Sequence, residues 1–204
     1  MTKRFDLGGT WTLTAGGRDI DFVTVPGAFP PIGACTLWRA FDMPWVATSR
    51  QHVFLVTEGV LARATFVLNG HTLGNCGPWA TYRFELPAGL LKAQGNLLQA
   101  NLTDLGEAFG PMPGRRFECG LPRDIFLELR PDVFLEDMLF HAELNDDHTL
   151  AHCTVGVEIA GDTQHTTHIL LSYTKFTGMF TPLGQGISPT LVQFAPSAEF
   201  QTSV

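Results

Sequence analysis

The sequence has no long apolar run, no closely paired cysteines and no stripe of positive charge, and each absence removes a class of function. No stretch approaches the roughly 20 apolar residues that cross a bilayer as a helix, so no membrane association is expected. The opening MTKRFDLGGTW lacks the apolar segment of a secretory leader, and a cytoplasmic location is the expectation. Cys35, Cys76, Cys119 and Cys153 are widely scattered. None belongs to a C-x-x-C pair, which excludes a zinc ribbon and a thioredoxin-type motif and leaves buried free thiols as the expected state. A G-x-S-x-G elbow, a phosphate loop and a dinucleotide fingerprint are also missing, so no cofactor is expected.

Charge is unevenly placed. The net charge is −7, yet residues 1–130 carry 12 basic and 11 acidic side chains, close to neutrality. From Pro131 onward nine acidic residues face only Lys175. Without a basic patch, nucleic acid is not an expected partner. The asymmetry also places a change of character near Arg130.

What the sequence does contain is short strands. Trp11 and Leu13 share one side of an opening strand, and Asp21 to Val25 forms another. Further strands are expected at Leu37 to Met43, His52 to Thr57, Ala64 to Leu68, Trp79 to Leu86, Leu97 to Leu102 and Ile125 to Leu129. Gly, Pro, Asn and Asp separate them, the pattern of an all-β sandwich or jelly roll. HVFLVT (His52 to Thr57) is apolar on both faces, as a strand covered on both sides should be. In YRFEL, Tyr82, Phe84 and Leu86 point one way while Arg83 and Glu85 point the other. Ala88 to Ala93 is the one helical candidate, and amounts to a turn at most.

Beyond Arg130, Met138, Phe140, Ala142 and Leu144 alternate with polar residues, and so do Ala151, Cys153, Val155, Val157 and Ile159. Asn145-Asp146-Asp147 lies between these runs, which predicts a hairpin. An immunoglobulin-like sandwich needs about 100 residues. Only the first strands of one are patterned here. From Asp162 onward no period is sustained, and no fold is legible.

Several fragments stand in a fixed order: GTWTL, VPGAF (Val25 to Phe29), LWRAFDMP (Leu37 to Pro44), VFLVTEGVLARATFVLNGHTLG (Val53 to Gly74), LLKAQGNLLQANLTDL (Leu90 to Leu105) and GLPRDIFLEL (Gly120 to Leu129). The series resembles the N-terminal sugar-binding domain of glycoside hydrolase family 2, which includes β-galactosidases, β-glucuronidases and β-mannosidases. Those proteins show a V-P start, a W/Y-R-x-F strand, an E-G-V turn, L-N-G-x-x-L-G, a G-x-N strand and a G-I/L-x-R-D-V close. Pro122 departs from that pattern, standing where the family has an aromatic or aliphatic residue before Arg123.

The resemblance implies a galactose-binding-like jelly-roll sandwich over 1–130. It implies the incomplete start of an immunoglobulin-like domain over 131–161, followed by a tail of uncertain structure over 162–204. In the family, catalysis belongs to a later (β/α)₈ barrel bearing an Asn-Glu acid/base and a second Glu nucleophile. Such a barrel takes roughly 250 residues, and retaining chemistry takes two carboxylates about 5 to 5.5 Å apart. Nothing after Gly161 matches these requirements. The implied role is therefore a non-catalytic sugar-binding or accessory module, inactive as an isolated chain. Its partners would be a carbohydrate or a catalytic domain or subunit. An autonomous carbohydrate-binding module and a structural module docking on such a subunit are the alternatives.

Four residues are candidates for contact with sugar. Trp79 follows a Gly-Pro pair and could stack on a sugar ring, plug the sandwich edge or contact a neighbouring domain. Asp104, Arg115 and Arg116 belong to TDLGEAFGPMPGRRFECG, a Gly/Pro-rich loop of the length that often carries function. The resemblance adds that in some β-galactosidases the loop matching Asp104 sends an Asp into the sugar site on the barrel. Other candidates read as structure. Asn69-Gly70 fits the positive φ values of a tight hairpin turn, and Arg123-Asp124 fits an anchor for the closing strand. No metal site is expected: His148 and His152, four apart in a strand, would lie about 13 Å from each other. Glu58 and Glu85 belong to a turn and to the polar face of a strand rather than to an active site.

Overall fold

The computed structural model describes residues 2–201 except 31, 46, 49, 62, 104–117, 145, 147–149, 162–168, 174–175, 181–189 and 195–199. Every regular element among the described residues is a β-strand, and the protein is an all-β sandwich. Contacts divide the chain into two units, Met1–Pro131 and Asp132–Val204.

The first unit contains β1 (Lys3–Asp6), β2 (Gly9–Ala15), β3 (Arg18–Val25), β4 (Gly27–Phe29), β5 (Cys35–Phe41), β6 (His52–Thr57), β7 (Arg63–Leu68), β8 (His71–Cys76), β9 (Tyr82–Glu85), β10 (Asn96–Thr103), β11 (Cys119–Leu121) and β12 (Ile125–Arg130). One antiparallel sheet runs β1-β12-β6-β9 and a second runs β3-β2-β5-β10-β7-β8, while β11 and β4 form a separate ribbon. Alternation decides what enters the core. Leu55, Ile125 and Leu127 from the first sheet join Leu37, Phe66, Leu98 and Ala100 from the second in one buried cluster. Each such leucine or phenylalanine contributes about 1.5–3 kcal/mol by leaving water. Trp11 is fully buried, and its Nε1–H is satisfied by the Leu7 carbonyl at 2.9 Å.

The double-sided apolarity of HVFLVT has a physical counterpart. Val53 and Leu55 face the core, while Phe54 and Val56 face outward and are still buried. Arg83 and Arg130 lie 5.7 and 5.5 Å from the Phe54 ring centroid, and Arg4 lies 3.6 Å from that of Phe126 on the adjoining strand. Arginine stems and guanidinium planes cover apolar surface while keeping their charge at the water boundary. Glu128 accepts from Arg130 at 2.9 Å on this face, and His52 meets Glu85 at 2.6 Å.

The Asn-Gly turn forms as its residues require. Asn69 has φ of 51° and Gly70 of 84°, the left-handed pair that a two-residue hairpin loop needs between β7 and β8. Gly74 answers a different need, since a Cβ there would come 2.5 Å from Cε1 of Phe84. The ring of Phe84 therefore packs directly on the backbone of β8.

Two expectations change. The alternating strand begins at Tyr82 rather than Trp79, because Trp79 adopts φ of 63° and the extended chain resumes only after it. Past Asp162, where no pattern was legible, strands occur. The second unit contains β13 (Val133–Leu144), β14 (Leu150–Gly161), β15 (Ile169–Tyr173), β16 (Phe176–Phe180), β17 (Thr190–Phe194) and β18 (Phe200–Gln201). β13 and β14 form the expected antiparallel hairpin, with a bulge between Leu135 and Asp137. β17 and β18 pair with β14, and β15 pairs with β16.

Candidate functional site

Trp79 sits where several turns meet. Its backbone N–H donates to the carbonyl of Val60 at 2.9 Å, and in the same turn the Leu61 N–H donates to Gly120 in β11. Thr103, at the end of β10, lies opposite Arg63. Both flanks of residues 104–117 are thus held beside the turn that positions Trp79. The indole is 55% exposed. A bulky side chain with positive φ is uncommon and persists only where its surroundings impose it. Here the bond to Val60 is one such constraint, and the Gly77 N–H donates to the Tyr82 hydroxyl at 3.0 Å just before it. The result is a largely exposed aromatic residue whose backbone is fixed by its neighbours. Asp104, Arg115 and Arg116, together with Glu107, lie outside the described residues.

The remaining candidates separate by geometry. Asp124 does not pair with its neighbour Arg123 but accepts from Arg4 at 2.6 Å, tying β12 to β1. The Arg123 side chain instead lies along Gly59 in the E-G-V turn. Both residues act on the closing strand. Glu85 opposes Phe54 across β6 and β9, and Glu58 follows four positions after Phe54. The Glu85 carboxylate meets His52 at 2.6 Å, and Glu58 stands past the end of β6 in the following turn, so the two serve different parts of the fold. His152 lies in β14, an extended strand, whereas His148 lies outside the described residues. Cys35, Cys76 and Cys119 are buried thiols outside any disulfide. Burial pushes the Cys35 and Cys76 thiols up from 9.0 to about 11, which keeps them protonated and unreactive at neutral pH.

A cavity of about 350 Å³ opens at the other end of β6, lined in part by Met43, Trp45, Gln51, Leu86, Leu91 and Lys92. One wall is the 87–95 turn, the segment read from the sequence as a turn at most. Asn96, almost fully buried, holds it: Oδ1 accepts from the Lys92 N–H at 2.9 Å, and Nδ2 donates to the Lys92 carbonyl at 2.7 Å. Asn69 then donates to the Leu90 carbonyl at 2.8 Å. Sequence reasoning did not find this cavity. Trp45 after Pro44 and the Leu90-Leu91 pair are the signals that could have marked it.

No family model matches the sequence, and no curated protein matches it. Solved structures do match, several β-glucuronidases among them. The enzyme from Bifidobacterium dentium, complexed with coumarin-3-O-glucuronide, superposes with a TM-score of 0.68 at 18% identity, covering 89% of this chain and 40% of its own. An enzyme from an uncultured Clostridium gives 0.66 at 15% identity, covering 97% and 40%. Bacteroides uniformis β-glucuronidase 2, covalently bound to cyclophellitol-6-carboxylate aziridine, gives 0.70 at 12% identity, covering 98% and 28%. At these identities the likeness is one of fold. The chain spans 40% or less of the length of these three enzymes.

Proposed function

We propose that this chain is a non-catalytic, sugar-binding or accessory β-sandwich module of a family 2 glycoside hydrolase, working beside a catalytic barrel. One observation carries the reading: the match to β-glucuronidases takes in nearly all of this chain but 28–40% of theirs. In finer terms, the first unit is the galactose-binding-like jelly roll and the strands from Val133 open an immunoglobulin-like domain. The division of contacts at Pro131 supports that partition. Either the chain is a truncated member or it is an accessory subunit whose barrel comes from a partner. Trp79 is the contact residue the geometry favours, and Asp104, Arg115 and Arg116 join it from the sequence reading.

The pair raised by the sequence, Glu58 and Glu85, supports no active site: Glu85 is engaged by His52, and Glu58 belongs to the turn after β6. The purified chain is therefore expected to release no chromophore from aryl β-glucuronide, β-galactoside or β-mannoside. Turnover that co-purifies with the chain and survives controls for host enzymes refutes the reading. Binding of a glycan that is lost in Trp79→Ala supports the sugar-contact role of this residue. Retention of that binding removes it.

A further inference from the structure

The two sheets of the first unit present opposite chemistry to water. The outer face of the four-stranded sheet is crowded with charge: Arg4, Arg83, Glu85, Glu128, Arg130 and His52. The outer face of the six-stranded sheet is almost free of it. Its register gives one row running Phe22, Thr12, Trp38, Gln99, Val67 and Thr72 across all six strands. The next row runs Asp19, Thr14, Thr36, Asn101, Thr65 and Asn75. Charge occurs only at corners, as Asp19 opposite Thr14 and Arg63 opposite Thr103. A solvated antiparallel face needs only polarity, and the neighbouring sheet shows that this chain meets that need with ions. Uncharged amides and hydroxyls over six strands call for another reason.

These groups are also held in place by one another. Trp38 Nε1–H donates to Thr14 Oγ1 at 3.0 Å, drawing the indole toward β2. Thr36 Oγ1–H donates to Asn101 Oδ1 at 2.9 Å, and Thr65 Oγ1–H to Asn75 Oδ1 at 2.7 Å. Each asparagine thus accepts a bond within the sheet through Oδ1, which orients its amide group. Phe22 is 70% exposed and stands in the same row as Trp38, two strands away. Their strands lie about 10 Å apart, close to the separation of alternate rings in an extended β-linked glycan, with Phe22 exposed and Trp38 partly so.

We infer that this face is a platform for an uncharged, extended β-linked oligosaccharide. Trp38 and Phe22 stack on alternate sugar rings, and Asn101, Asn75 and Gln99 bond the hydroxyls between them. Stacking uses the apolar C–H face of a pyranose, while neutral amides meet hydroxyls without the desolvation cost of a buried charge. The row across the sheet is about 24 Å long, enough for a short oligosaccharide rather than one sugar. The inference rests on the carbohydrate-binding reading above but assigns it to a surface distinct from the Trp79 turns.

Calorimetric titration of the full chain with cellohexaose, mannohexaose and xylohexaose, with polygalacturonate as the charged comparison, tests it. One of the neutral hexaoses is expected to bind and polygalacturonate to bind far more weakly. Phe22→Ala, at an exposed position that does not endanger folding, and Trp38→Ala are each expected to weaken binding about tenfold. Glu85→Gln, on the outer face of the other sheet, should leave it unchanged. If a hexaose binds but neither Phe22→Ala nor Trp38→Ala weakens it, the platform is refuted while the carbohydrate-binding reading stands. If none of the neutral hexaoses binds, the platform is refuted, while the carbohydrate-binding reading is decided by the Trp79→Ala test above. If sedimentation shows a dimer that Phe22→Ala dissociates, the face belongs to a second copy of this chain and the inference is overturned.

Discussion

Asn69 Nδ2 donates to Asn96 Oδ1 at 3.0 Å, joining the hairpin turn after β7 to the first residue of β10. Asn69 Oδ1 also accepts from the Leu97 N–H at 2.9 Å, so its amide group is fully used inside the fold. The Asn-Gly pair thus does two jobs, one through its backbone dihedral angles and one through a side chain that pins the 87–95 turn.

Replacing Asn96, itself 1% exposed, with alanine leaves the Lys92 N–H and carbonyl and one Asn69 donor without their partner. A loss of about 2–4 kcal/mol is expected, since unsatisfied buried groups cost about 1–3 kcal/mol each and some regain water. Urea unfolding with unchanged slope is the measurement. A change below about 0.5 kcal/mol would show that water replaces the network without cost.

Gly74→Ala forces the Phe84 ring to move, and overpacking of this kind costs about 1–3 kcal/mol. Because the clash involves one ring, Phe84→Leu should absorb part of it. A double-mutant cycle is expected to show coupling between the two positions. Strict additivity would mean that β8 shifts as a body and the ring is not what demands glycine.

The buried thiols set an alkaline limit. With Cys35 and Cys76 raised from 9.0 to about 11, the folded chain holds two protons that the unfolded chain releases earlier. Their contribution to stability is complete below pH 9 and is lost as pH rises through 11. The melting temperature should fall across that window, and less steeply in Cys35→Ala/Cys76→Ala than in the parent. Labelling by iodoacetamide at pH 8 should be slow at both positions until denaturant is added. Fast labelling of the folded chain would overturn the assignment.

Legibility followed locality. The Asn69-Gly70 turn and the alternation of Tyr82 and Phe84 against Arg83 and Glu85 could be read because each is settled by a few adjacent residues. The start of β9 was misplaced because the left-handed φ of Trp79 is imposed by Val60, 19 positions earlier. β1 went unread since its stability comes from β12, at the far end of the unit. Arg39 shares the inward face of β5 with Leu37 and Phe41, and its Nη1 donates to the Thr10 carbonyl at 2.7 Å. Nothing in LWRAFDM announces an inward arginine. The uncharged rows of the six-stranded sheet were equally hidden, because each draws one residue from each of six strands. For the loop bearing Asp104, Arg115 and Arg116, the sequence expectation stands where it began, outside the described residues.

The pairing of β1 with β12 sets Lys3 opposite Leu129, so the first and last strands of the sandwich end side by side. Tension applied to the chain at Lys3 and Arg130 would therefore open this seam one hydrogen bond at a time, like a zip, instead of shearing the whole ladder at once. The Arg4–Asp124 ion pair lies across the same seam and works as its clasp. A module built this way yields to pulling at its two ends long before its interior does.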